Sequence, residues 1–261
     1  MSLVLVGLWL AALGACDLGR ASHDTVTRFR RAGCLAGGWL VLALGVVALR
    51  PGAGWGLLLL VLLGGSLAGW LLASDNALRV TSRRRRSRAR ALAFGSLSAG
   101  TAVAVLGVEA VDRVPEWPHR LDHTLPAHWP LPEVLVTLGV VAAQLATANI
   151  AVRLLLDAVG VPATTNEKQL KGGRVLGPME RVFIVALGAL GDLTAAAVVV
   201  AAKGLLRFPE LQRAQRRHAG REAGQDGTPP DGPSDVTEYF LIGSFASWLL
   251  ALGGAALIHL A

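Results

Sequence analysis

Asp192 is the first candidate for a functional residue, because it is a carboxylate that follows Gly191 in the middle of the long apolar stretch 182–202. A carboxylate inside hydrocarbon is costly, so it is expected to face the bundle interior or a wet cavity and to take part in transport. The alternative is that desolvation simply keeps the group as a neutral carboxylic acid. Both interpretations stay open from the sequence.

A second group of charged side chains lies at the edges of the last two apolar stretches. Its members are Glu180, Arg181, Lys203, Arg207 and Glu238, with Arg174 nearby. Long charged side chains at such positions often only reach out to water and anchor a helix. The functional alternative is a charged site at the mouth of a cavity, which would bind a phosphate-bearing headgroup or relay protons.

The stretch 134–156 carries a third set of polar residues. Asn149, Arg153 and Asp157 are spaced four apart and therefore share one helix face, where Arg153 and Asp157 are expected to pair at the helix end. Gln144 and Thr147 lie deeper and are expected to form hydrogen bonds across helices.

Metal, cofactor and enzyme signatures are weak. His119 and His123 have a spacing that zinc could use, but the surrounding prolines argue against a long helix, and we expect no metal site. The chain has no phosphate-binding glycine loop with Lys, no Cys-x-x-Cys pair and no Gly-x-Ser-x-Gly turn. We therefore expect no cofactor and lean against an enzyme.

These residues are positioned by a chain that is mostly apolar. Of 261 residues, 53% are hydrophobic, the mean hydropathy is +0.51, and a membrane span needs about 20 apolar residues. The composition predicts an all-α, polytopic transmembrane helical bundle that forms one domain. Its seven hydrophobic segments are 2–16, 33–49, 53–73, 91–111, 134–156, 182–202 and 239–260.

Arginine predicts the orientation. The basic loops 17–32 and 74–90, the second of which contains Arg83–Arg86, are expected in the cytoplasm. The loop 112–132 is then external, the N-terminus is outside, and 209–237 forms a flexible polar loop. Both flanks of segment 182–202 are basic, which breaks the alternation. That segment is therefore either a plain span or a re-entrant hairpin turning near Gly191 and Asp192.

Two features concern the remaining segments. Leu13 to Cys16 resembles a lipoprotein processing site, but no basic residue precedes the apolar run, so an uncleaved first span is expected. Cys16 and Cys34 are expected on the reducing side without a disulfide. Small residues four apart predict close helix packing. These pairs are Gly33 with Gly37, Gly65 with Gly69, and Ser96 with Gly100.

Three blocks in the C-terminal third resemble a family of bacterial inner-membrane proteins of unknown function. The matching residues are Gly173, Arg174, Gly177, Glu180 and Arg181, then Lys203, Arg207 and Phe208, then Glu238, Tyr239, Leu241, Ile242 and Gly243. The resemblance covers about 173–247, and Pro178 and the long insert before Glu238 depart from it. It implies an inner-membrane location but no activity.

Three functions fit these observations. The first is a small transporter or permease-like protein that uses Asp192 and the boundary charges. The second is a structural or regulatory membrane subunit that docks a protein partner or a second copy of itself. The third is a membrane enzyme acting on lipid-linked phosphate, with Arg174, Arg181, Lys203 and Arg207 as an anion clamp. The expected surroundings are the bilayer of a bacterial cytoplasmic (inner) membrane, with anionic lipid at Arg83–Arg86 and no nucleic acid.

Overall fold

The computed structural model describes residues 3–20, 26–111, 130–160, 173–192, 194–202, 205 and 235–261. Within these ranges every regular element is helical, which confirms the all-α class. The helices are α1 (Val4–Leu18), α2 (Arg28–Leu49), α3 (Ala53–Arg79), α4 (Arg83–Leu106), α5 (Leu131–Ala142), α6 (Ala148–Ala158), α7 (Gly173–Ala189), α8 (194–202) and α9 (Asp235–His259). A 3-10 turn, Gly107–Ala110, follows α4, and a π turn, Ala143–Thr147, joins α5 to α6 without a break.

Five described helices are long and apolar enough to cross a membrane, as expected for a multi-pass protein. They are Arg28–Leu49, Gly54–Arg79, Arg83–Leu106, Leu131–Ala158 and Leu241–His259. The expected count of about seven is not confirmed, because α1 has 15 residues and α7 has 17. Large apolar side chains such as Leu44, Val47 and Leu57 are exposed on the outer faces, which suits contact with lipid better than with water.

The short helix α1 lies at the centre of the bundle. Eleven of its residues are buried, and glycines bring its backbone against α5. A Cβ atom added at Gly7 would lie 2.7 Å from the Cα of Val136, and one added at Gly14 would lie 2.6 Å from the carbonyl carbon of Ala142. Only glycine permits this approach, which sequence analysis did not anticipate.

The position of α1 bears on the lipoprotein interpretation. Cys16 is fully buried on this central helix and is a free thiol, as is the buried Cys34. Processing before Cys16 would remove most of the helix around which the other helices pack. The uncleaved first segment stays a prediction.

The predicted small-residue pairs are correct only in part. Gly69 and Ser96 pack against each other across α3 and α4, since a Cβ atom added at Gly69 would lie 2.5 Å from the Ser96 hydroxyl oxygen. Gly33, Gly37 and Gly65 face open space, so close packing was the wrong prediction for them. Glycine abundance, not helix contact, explains their spacing.

The two basic loops are largely helical. Between α3 and α4 only Val80–Ser82 lies outside a helix, so most of the predicted loop 74–90 extends the two spans. The predicted loop 17–32 likewise contains the start of α2, where Thr27 accepts a hydrogen bond from the backbone N–H of Arg30. Arginine is a good helix former, which explains the extension.

Three aspartates hold arginines at the end of the bundle where α1, α3 and α6 finish and α2 and α4 begin. We call this the arginine end. The ion pairs are Asp17–Arg20 at 2.6 Å, Asp75–Arg31 at 2.7 Å, Asp75–Arg79 at 3.0 Å, Asp157–Arg86 at 3.1 Å and Asp157–Arg90 at 2.6 Å. Each pair limits the cost of placing charge beside apolar helices.

Helices α7 and α9 run parallel to each other. Arg181 contacts Ser247, and about two turns farther along both helices Gly188 packs against Ala255. Gly243, early in α9, packs against Leu156 near the end of α6, so both helices begin at the arginine end. A single straight span over 182–202 is not what the structure shows. A re-entrant position of that segment in the membrane stays a prediction, and the end of α9 lies opposite the arginine end.

This arrangement predicts the side on which residue 260 is found. A cysteine at the exposed Leu260 should react with an impermeant thiol reagent in intact cells like a cysteine at Gly52, and unlike one at Ser82. Gly52 is in the α2–α3 turn opposite the arginine end, and Ser82 is in the α3–α4 turn at that end. The parent protein, whose two native cysteines are buried, serves as the unlabelled control. Reactivity like that of the Ser82 variant would contradict the parallel arrangement.

Candidate functional site

The centre of the long helix formed by α5 and α6 is a π turn. Between Ala143 and Thr147 the helix carries one extra residue, which interrupts the usual backbone hydrogen-bond ladder. In a membrane bundle a displaced carbonyl must find a donor inside the protein, because lipid offers none. Here the donor comes from another helix.

Arg181 on α7 supplies that donor. Its Nε and Nη2 both donate to the Gln144 carbonyl oxygen, at 3.1 Å and 2.8 Å. The same guanidinium donates to Asn149 Oδ1 at 2.7 Å and to Ser247 Oγ at 3.0 Å. One side chain therefore ties α7 to the π turn, α6 and α9.

The Arg181 guanidinium is buried, and these acceptors are all neutral. The residue is only 2% exposed, whereas charged residues are almost never fully buried unless paired. Gln144 stands near the middle of the span Leu131–Ala158, so the positive charge lies at mid-depth. An ionisable group there is a default functional candidate, since its burial is expensive.

The neighbouring polar atoms complete a cluster. Gln144 Nε2 donates to the Leu250 carbonyl at 2.7 Å, which confirms the expected hydrogen bond across helices. Gln144 Oε1 and the Thr147 hydroxyl are buried without a hydrogen-bond partner in the described part of the chain. These two atoms could form hydrogen bonds to a bound molecule. We call Arg181, Gln144, Thr147, Asn149 and Ser247 the Arg181 cluster.

Asp192 has a different role from the one expected at mid-depth. Helix α7 ends in a glycine cap, in which Gly191 has φ +80° and its N–H donates to the Gly188 carbonyl while the Asp192 N–H donates to that of Leu187. Asp192 is exposed, and its Oδ1 accepts a hydrogen bond from the Ala195 N–H at 2.9 Å. It is therefore the N-cap of α8.

The remaining predicted residues are not all brought together. Arg181 lies at the centre of the cluster and not at a membrane boundary, while its neighbour Glu180 is half-buried. Asp157 pairs across the bundle with Arg86 and Arg90, away from the cluster. Arg153 is half-buried. Lys203, Arg207, His119 and His123 lie outside the described residues, as do the side chains of Arg174 and Glu238.

The described ranges contain no group of three His, Cys, Asp or Glu side chains that could hold a metal ion. The polar residues Gln144, Thr147 and Asn149 within one apolar span were the sequence signal for the cluster. Their connection to Arg181 and Ser247 depends on helix packing and carried no local signal.

The chain matches no protein-family model, and neither a curated protein nor a solved structure shows significant similarity to it. The resemblance of 173–247 to an inner-membrane family stays an expectation. The functional argument must therefore come from the cluster.

The capping role of Asp192 gives a stability prediction. Asp192→Asn should leave the free energy of unfolding nearly unchanged, because Asn caps helices as well as Asp. Asp192→Ala should cost about 1 kcal/mol. The measurement is unfolding of the purified protein in mixed micelles. Thr194→Ala, an exposed change in the same turn, is the control and should have little effect. Equal losses for the Asn and Ala variants would contradict the cap.

Proposed function

We propose that this chain is a permease-like protein for small anions in the bacterial cytoplasmic membrane, with the Arg181 cluster as its central site. The observation that carries the proposal is the buried Arg181 guanidinium at mid-depth, whose hydrogen-bond acceptors among the described residues are neutral groups. Such a charge is costly, and a protein retains it where it serves a pathway.

The chemistry of the cluster favours an anion as substrate. Its neutral acceptors take four hydrogen bonds from Arg181, and an anionic group would interact with the guanidinium more strongly than they do. Asn149 and Ser247 are side chains that can turn aside when an anion arrives. The unpartnered Thr147 hydroxyl adds a donor next to the π turn. Together these groups suit a carboxylate or another small oxyanion.

The surrounding helices favour movement of the substrate over a reaction on it. Helix α7 is interrupted at Gly191, and the helix facing it contains a π turn. π turns often mark functional positions in helices, and this one lies in the middle of its span. The lipid-phosphate enzyme has less support, because its clamp required Arg181 at the membrane surface.

The orientation follows from the arginine end. Short basic segments stay in the cytoplasm, so the arginine end is cytoplasmic in this proposal. The N-terminus and the end of α9 are then outside. The Arg181 cluster lies between the two sides, where a carried anion would be held.

The proposal predicts anion-dependent charge movement. The full chain is reconstituted in proteoliposomes, and currents are recorded on a solid-supported membrane during concentration jumps of chloride, phosphate, acetate and succinate. At least one anion should give a current with the wild type, and Arg181→Gln should reduce it by tenfold or more, because the positive charge is lost.

Two controls make the result specific. Asp192→Asn and Arg50→Gln should retain the current, since Asp192 is a helix cap and Arg50 is exposed at the far end of α2. A current that survives Arg181→Gln, or the absence of current with every anion, would refute the proposed site.

A further inference from the structure

The arginines at the arginine end fall into two structural groups. Those near the aspartates are held in ion pairs, and they are Arg20, Arg31, Arg79, Arg86 and Arg90. The others are exposed and form no ion pair within the described part of the chain, and they are Arg28, Arg30, Arg83, Arg84, Arg85 and Arg88. The second group forms a positive surface on one end of the bundle that no described carboxylate pairs with.

Asp157 causes this separation on α4. Arg86 and Arg90 are four residues apart on one helix face, and both donate to Asp157 of α6, with Arg90 also donating to its backbone carbonyl at 2.6 Å. This contact fixes the rotation of α4 about its axis. Arg84 and Arg88 are also four apart but on another face, which is exposed.

The start of α2 extends the same surface. Phe29 is 93% exposed and stands between the exposed Arg28 and Arg30. An aromatic side chain between cations at the end of a membrane span suits the headgroup region, where its ring meets acyl chains and the cations meet phosphates. In water alone, an exposed Phe would gain nothing from this position.

We propose that the arginine end binds anionic phospholipid headgroups through Arg83, Arg84, Arg85 and Arg88 on α4 and Arg28 and Arg30 on α2. The surface lies at the level where the spans leave the membrane, so it meets headgroups directly. Its positive charge is complementary to phosphate diesters, and each arginine near such a surface contributes up to about fivefold in association. Arg86 and Arg90 have no part in this binding.

Lipid selectivity measured by electron spin resonance tests the proposal. The full chain is reconstituted in phosphatidylcholine vesicles with trace spin-labelled phosphatidylglycerol or phosphatidylcholine, and the relative association constant of the two labels is determined. The wild type should prefer phosphatidylglycerol about two- to fivefold, and this preference should weaken as salt increases. Arg84→Gln/Arg85→Gln, which removes two of the six proposed arginines, should lower the ratio measurably toward one.

The matched control is Arg86→Gln/Arg90→Gln, which removes the same charge from the same helix turns and should keep the preference. If that pair does not fold, Arg84→Gln is compared with Arg50→Gln, which lies at the opposite end. Equal losses in the two members of a pair would overturn the proposal. A wild-type protein without lipid selectivity would also overturn it. The same holds if the exposed arginines bind a co-purifying protein and the wild type shows no lipid preference.

Discussion

The arrangement of the C-terminal half depends on one constraint, which is that a guanidinium inside a membrane bundle must have all its donors accepted by protein. Arg181 meets this constraint for four of its five N–H groups, through the Gln144 carbonyl, the Asn149 amide and the Ser247 hydroxyl. Because these acceptors come from three other elements, α7 cannot shift without leaving a buried charge unsatisfied. The π turn and Arg181 are therefore mutually dependent, since each satisfies what the other leaves unpaired.

The N-terminal half is stabilised by a different mechanism. There, α1 packs its backbone directly against α5 through Gly7 and Gly14. At the arginine end of α1, Asp17 accepts hydrogen bonds from Arg20 and from the Trp70 indole. Close van der Waals packing drives this association, because lipid provides no hydrophobic force between helices. The central helix gives α5 a rigid support on one side. The Arg181 cluster forms where the π turn and α6, which continue α5, face α7 and α9.

Sequence reasoning predicted the parts of the fold that depend on local composition. The apolar spans and the all-helical class follow from hydropathy, and Gln144 was expected to bond across helices, whereas the break near Gly191 was only one of two alternatives. The position of Arg181 was not predictable, since long basic residues beside an apolar stretch usually reach water. Its depth depends on the packing of α7 against α6 and α9, which no periodicity reveals. The mid-depth role expected for Asp192 was replaced for a similar reason, because a turn there lets its carboxylate cap α8.

The same limit applies to the arginine run. Its charge predicted an orientation, but only the contact with Asp157 separates the structural arginines from the exposed ones. Removing an arginine of either group changes the net charge by the same amount but has a different effect on the protein. The arginines paired with Asp157 fix α4 to α6, whereas the exposed arginines face lipid headgroups or water.

The most direct test of the central claim is the free-energy coupling between Arg181 and Asn149, measured by unfolding the purified protein in mixed micelles. Asn149→Leu should cost about 3 kcal/mol, because it leaves part of a buried cation without an acceptor. In the Arg181→Met background, where the charge is gone, the same change should cost about 2 kcal/mol less, a coupling within the range seen for contacting residues. Asn76→Leu, an exposed change on α3, should show no coupling to Arg181→Met. Additive losses for Arg181→Met and Asn149→Leu would contradict the account.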